Sequence, residues 1–131
     1  MLQAMNTGHD GSMTTTHANS PREALSRLET LCLMSGVDLP VRAIRAQIAS
    51  SVDVIVQQTR FSDGSRRVTS IAEVTDVGDD GEIESFEIFG FHRTGVGENG
   101  KVLGEFRISG YVPSFIDAFI AHGLVPDGEF L

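Results

Sequence analysis

Two histidines flank a run of hydroxyl residues near the start of the chain, in Thr7-Gly8-His9-Asp10-Gly11-Ser12-Met13-Thr14-Thr15-Thr16-His17-Ala18-Asn19. Threonine is stiff at χ1 and favours extended backbone, so residues 12–17 are predicted to form a strand. That puts His17, Ala18 and Asn19 at its carboxyl end, just before a helix start. In open parallel α/β sheets, ligands bind in the crevice at those ends. A histidine there can donate to a phosphate oxygen and report its presence. The alternative is a His17 satisfied by backbone groups in the strand-to-helix turn.

Other candidates for chemistry are weaker. Gly95-Val96-Gly97-Glu98-Asn99-Gly100-Lys101 has the spacing of a phosphate loop, but Val102 follows the lysine. A phosphate loop needs Ser or Thr there to hold Mg²⁺, and a helix whose N-terminus faces the anion. This segment leads into a strand, so a hairpin loop is predicted. His9, His17, His92 and His122 lack zinc-ligand spacing. No G-x-S-x-G elbow is present. Asp79 and Asp80 lie in turn-like sequence and are predicted to be solvated. Cys32 is the only cysteine, which excludes an internal disulfide and a thiolate metal cluster. It falls on the apolar side of a predicted helix and is expected to be buried.

The elements that must position these residues read clearly. Ser20 is a good N-cap, Pro21 suits the first helical position, and Glu23 completes a capping box. Leu25, Leu28, Leu31 and Cys32 follow at helical spacing, and Gly36 ends that helix. Pro40 opens a second helix with Val41, Ile44, Ile48 and Val52 along one stripe, while Arg42 and Arg45 fall off it. Val54-Ile55-Val56 is a continuous β-branched run, which predicts a strand buried on both faces, as in a parallel sheet. Asp63-Gly64 and Asp80-Gly81 then mark turns between strand-like runs at 67–77, 83–91 and 102–108. A closing helix follows Pro113, with Phe115, Ile116, Phe119 and Ile120 on one face and Gly123 as its stop. At the front, Met1 to Thr7 reads as the last turns of a helix ending at Gly8.

With 131 residues, the chain suffices for one domain and one core. Ten basic against 18 acidic residues leave a formal charge of −8. That argues against the basic face a nucleic-acid binder needs, and against a polybasic lipid-binding patch. No apolar run approaches the roughly 20 residues of a membrane span, and no signal peptide is visible, so a cytoplasmic location is predicted.

The form T-G-H-x-G-S-x-T-x-x-H-A over residues 7–18 resembles the His box of the secretion-ATPase superfamily. These are the type II and type IV secretion system and pilus motors (GspE/PilT-like). The spacing of its two histidines is most similar to the branch holding the tight-adherence (Flp) pilus assembly ATPases, CpaF/TadA, together with type IV secretion motors. The similarity continues through Asn19-Ser20-Pro21-Arg22, 24–30, Leu33-Met34, Asp38-Leu39-Pro40, 42–45 and 47–49. It extends to Asp53, Gly64-Ser65-Arg66-Arg67-Val68, Glu73-Val74, Pro113-Ser114-Phe115 and His122-Gly123. Met13 and Thr16 depart from the aliphatic residues more usual in the family, though both suit a strand.

The resemblance implies an α/β fold. Residues 1–60 would be the C-terminal half of a RecA-like P-loop ATPase core with parallel strands, carrying the His box at 7–19. Residues 61–110 would be an antiparallel β part and 111–131 a closing helix and tail. It further implies a hexameric ring that hydrolyses ATP with Mg²⁺, docked on inner-membrane secretion or pilus platform proteins without itself inserting in the membrane. His17 would be the γ-phosphate sensor and His9 would shape the turn at the strand's far end. Arginines such as Arg67 are candidates to reach a neighbouring subunit, though the sequence selects none. The family's phosphate loop, acidic box and Walker B strand stand upstream of the His box, and this sequence has none of them. The chain is therefore expected to be a fragment that binds ATP poorly alone. Ser12–His17 and Val54–Gln57, as central strands lacking partners, would favour aggregation or oligomerisation. The alternative function is a non-catalytic assembly or regulatory module that docks on full-length motors.

Overall fold

The computed structural model describes residues 11–36 and 38–123. In chain order the elements are α1 (Pro21–Met34), α2 (Val41–Ser51), β1 (Val54–Arg60), β2 (Arg66–Val77), β3 (Ile83–Val96), β4 (Val102–Ile108) and α3 (Ile116–Ala121). The suspected helix of residues 1–7, its Gly8 cap, and His9 lie outside the described residues.

Helix α1 starts where its capping chemistry says it should. Ser20 has extended backbone and its hydroxyl accepts from the Glu23 N–H at 3.1 Å. Glu23 returns a bond, but to the N–H of Asn19 at 3.0 Å, one residue earlier than a standard capping box. Gly36, at φ 80°, follows the C-cap Ser35. Helix α2 starts after Pro40, which supplies backbone acceptors to Ala43 and Ile44. Both helices turn their apolar stripes to one face of the sheet. Leu25, Ile44, Ile48, Ala49 and Val74 form the buried core, with Leu28, Cys32, Val52, Ile55, Val77 and Ile83 packed around it. Cys32 is thus half-buried at the edge of the core rather than enclosed by it.

The four strands form one antiparallel sheet in the order β1-β2-β3-β4. Its three hairpins share one loop chemistry. In each, a glycine N–H closes a tight turn onto the residue three before it: Gly64 to Phe61, Gly81 to Gly78, and Gly100 to Gly97. All three glycines have φ between 78° and 85°, a region that costs other residues steric strain. The supposed phosphate loop is the third of these hairpins, held by Gly97 N–H to Lys101 O at 2.7 Å and by the Val96–Val102 pair.

Two strand expectations fail. Residues 12–17 form no strand; they are exposed and irregular. Threonine propensity is insufficient when no neighbouring strand takes the backbone hydrogen bonds. Val54-Ile55-Val56 does begin a strand, but β1 is an edge strand, antiparallel to β2, with alternating burial. Ile55 packs on the core while Val54 and Val56 point to the other face and stay exposed. Two-sided burial occurs one strand over, at Ala72-Glu73-Val74 of β2. There the helices cover the Val74 side, and the segment after β4 folds back over the Glu73 side. No pair of described strands is parallel. Helix α3 is shorter than its apolar pattern, with Ile116 buried and Phe119 exposed.

Candidate functional site

His17 lies in the irregular segment three residues before the Ser20 cap, with its side chain exposed. The next residue fixes its position: the Gln57 side-chain amide of β1 donates to Ala18 O at 2.9 Å. That bond joins the segment to the edge of the sheet, while the cap joins it to α1. Among the described residues none hydrogen-bonds the His17 imidazole, so the turn-satisfied alternative does not hold there. His9 lies outside the described residues, so its relation to His17 is not part of this geometry.

The N-terminus of α1 is not itself a phosphate cradle. Pro21 has no N–H, Glu23 N–H is taken by Ser20 Oγ, and Ala24 N–H by Ser20 O. The Glu23 carboxylate also occupies the positive end of the helix. An open cleft of about 590 Å³ lies beside α1, but Asp79, Asp80, Glu82 and Glu84 line it against a single Arg22. That charge repels a polyphosphate. Around His17 the described residues form no phosphate cradle.

Three polar clusters went unread in the sequence. Glu73, only 4% exposed, sits beneath the segment that follows β4. Its Oε1 accepts from Tyr111 Oη at 2.7 Å and Ser114 N–H at 2.9 Å, and its Oε2 accepts from the Ser114 hydroxyl. Burial pushes this carboxyl up, but the bonds from Ser114 and Tyr111 outweigh it and leave it below the usual range. The same bond, with burial and the Glu73 charge, pushes the Tyr111 hydroxyl up to about 12. Tyr111 also stacks on Phe86, ring centroids 4.9 Å apart.

Asp63 does more than turn the first hairpin. It accepts from the Ser65 hydroxyl at 2.5 Å and the Ser65 N–H at 2.8 Å, and its other oxygen accepts from Val102 N–H at 2.7 Å. These bonds, with the Arg67 charge, hold its carboxyl at about 2. Arg45, off the apolar stripe of α2, donates to Glu29 of α1 at 3.1 Å and to Gly81 O at 3.0 Å. Its pKa is raised, chiefly by the Glu29 bond. Arg67 lies over the rings of Phe61 and Phe91, at 5.8 and 5.3 Å from their centroids. All three join distant parts of the chain. A lone glutamate within Ile71-Ala72-Glu73-Val74 was the sequence sign of the first of these sites.

Residues 1–80 match the model of the family described as Type II/IV secretion system protein. The chain belongs to this family. As a type II/IV secretion system protein, it has relatives in transfer and secretion systems. It is 40% identical over 72 residues to a putative conjugal transfer protein of Mycobacterium tuberculosis, covering 55% of this chain and 20% of the relative. The conjugal transfer protein TrbB of Rhizobium radiobacter is 38% identical over 74 residues, 56% of this chain and 21% of TrbB. The type IV secretion system protein PtlH of Bordetella pertussis is 39% identical over 69 residues, 50% of this chain and 20% of PtlH. The chain thus matches about a fifth of the length of these curated relatives. The family match takes in the His17 segment, both core helices and the β1–β2 hairpin. Among the described residues, no helix is long and apolar enough to cross a membrane.

Proposed function

We propose that this chain is the C-terminal portion of a motor ATPase of the type II/IV secretion family, within a hexameric ring docked on inner-membrane platform proteins. The observation that carries the reading is the family match over residues 1–80, a span that includes residues 7–19. The relatives' names, conjugal transfer and type IV secretion, favour export of a macromolecule. The box spacing favours the tight-adherence pilus branch beside them. In this reading, a RecA-like core is completed by strands and a phosphate loop outside this sequence, and ATP and Mg²⁺ supply the phosphoryl chemistry. Such transfer depends on positioning and charge neutralisation rather than on covalent catalysis.

His17 is assigned the γ-phosphate. Its imidazole, exposed and without a hydrogen-bond partner among the described residues, donates to a phosphate oxygen, and the contact is lost once that group leaves. Its place suits a sensor, because Ala18 is bound to β1 and Ser20 starts α1. A shift of His17 therefore reaches a strand edge and a core helix within three residues. The same geometry explains why the chain alone is expected to be inactive: a single donor without a cradle does not hold a triphosphate.

Calorimetric titration of the 131-residue chain with ATP and Mg²⁺ is expected to show no tight binding; tight, Mg²⁺-dependent binding overturns the fragment reading. Joined to a half that carries the phosphate loop, the chain is expected to support ATP turnover. His17→Ala should then lower kcat about 100-fold with KM little changed, as for loss of a group that acts on the transferring phosphoryl. An unchanged kcat removes His17 from the nucleotide.

A further inference from the structure

The sheet has two edges, and they differ. The β1 edge meets the His17 segment through Gln57. Strand β4, at the other edge, pairs among the described strands only with β3. Its sequence, VLGEFRI, has no proline or lysine to blunt it, and the register shift in its pairing falls on the β3 side, between Arg93 and Gly95. Both of its faces are open beyond Val102, with Phe106 53% and Ile108 82% exposed on one and Leu103 50% exposed on the other.

Which backbone groups point outward follows from alternation. Lys101 O accepts from Gly97 and Ser109 N–H donates to Ile88 O, so the odd-numbered residues of this strand turn toward β3. The even-numbered ones turn away, and Val102 N–H accordingly leaves the sheet to meet Asp63. Gly104, Phe106 and Ile108 therefore present their N–H and C=O groups along the free edge.

This edge is complementary to itself. Two copies aligned antiparallel about a two-fold axis at Phe106 set Phe106 opposite its own copy and Gly104 opposite Ile108 of the second copy. All of these are outward-facing residues that exchange backbone hydrogen bonds. Between them, Glu105 falls opposite Arg107 of the second copy, in the closer non-hydrogen-bonded positions where cross-strand pairs interact most. One face of the joint then carries Phe106 and Ile108, and the other carries opposite charges. Among the described residues, Arg107 bonds only to Glu105 of its own strand, at 2.7 Å from Nε, with both side chains more than half exposed. A shift of the axis to Gly104 brings in Val102, whose N–H is already taken; a shift to Ile108 shortens the pairing.

We propose that β4 is a self-association edge, through which two copies of this chain join antiparallel at Phe106 into one continuous sheet. The joint lies across the sheet from Gln57 and the His17 segment, so it does not depend on the nucleotide reading.

Sedimentation equilibrium of the 131-residue chain tests it, with circular dichroism melts to confirm that each variant is folded. The wild type is expected to show a concentration-dependent monomer–dimer equilibrium. Glu105→Arg places like charges opposite each other at two symmetry-related positions and should weaken the dimer about tenfold or more. The double variant Glu105→Arg with Arg107→Glu reverses both charges and should restore it. A wild type that is monomeric at every concentration overturns the proposal. So does an assembly indifferent to Glu105→Arg, or a double variant that fails to recover.

Discussion

Replacing Tyr111 by Phe removes one hydrogen bond and leaves the stacked contact with Phe86 in place. Glu73 then keeps its two bonds from Ser114 but loses the 2.7 Å donor at Oε1. The bond joins a hydroxyl to a charge on a residue only 4% exposed, so its loss should cost about 1.5–3 kcal/mol of stability. Urea titration followed by circular dichroism at pH 7 measures it. Repeating the substitution in a Glu73→Gln background separates the role of the charge, because a neutral acceptor returns only about 1 kcal/mol for the same bond. The pH dependence carries a sign at each end. Glu73 titrates below its ordinary range when folded, so its contribution is present above that range and is lost as pH falls through the folded value. Tyr111 is raised to about 12 from an ordinary value of 10.0. Its contribution is complete below the ordinary value and is lost as pH rises toward the folded one. The gap between wild type and Tyr111→Phe should therefore be widest near neutrality and narrow at both extremes. A cost below about 0.5 kcal/mol at pH 7, or the same cost in both backgrounds, would refute the reasoning.

Asp63 gives a second pH test: its carboxyl sits at about 2 against an ordinary 3.8, so its contribution is complete above the ordinary value and lost as pH falls toward the folded one. Thermal melts between about pH 2 and 5 should show a shallower acid dependence for Asp63→Asn than for wild type. Ile48 is fully enclosed between the helices and the sheet, and Ile48→Ala should lower the urea-derived stability by about 2–5 kcal/mol.

Local signals were legible, and long-range ones were not. Ser20, Pro21 and Glu23 mark the start of α1, and the Asp-Gly pairs mark two hairpins, because capping and turn chemistry act over three or four residues. The strand at 102–108 matches β4 end to end. Threonine propensity misplaced a strand at 12–17, since a strand exists only with a neighbour to pair with. The β-branched run at 54–56 suggested two buried faces, but burial is decided by what covers the sheet, and the covering segment arrives 55 residues later with Tyr111 and Ser114. The ties of Glu73 to Ser114 and of Asp63 to Val102 cross separations of 41 and 39 residues, which no local pattern encodes. His17 stood out in the sequence only as a residue type ahead of the Ser20 cap. Its exposure and the Gln57–Ala18 bond that positions it required the fold.

Residues 1–131 are proposed to continue a motor ATPase whose phosphate loop stands upstream. Sequencing the DNA immediately 5′ of the Met1 codon tests it most directly. A reading frame is expected there, in frame or displaced by a frameshift, that encodes G-x-x-x-x-G-K-[ST] ahead of an acidic Walker B strand. An upstream region with no such frame in any register would contradict it.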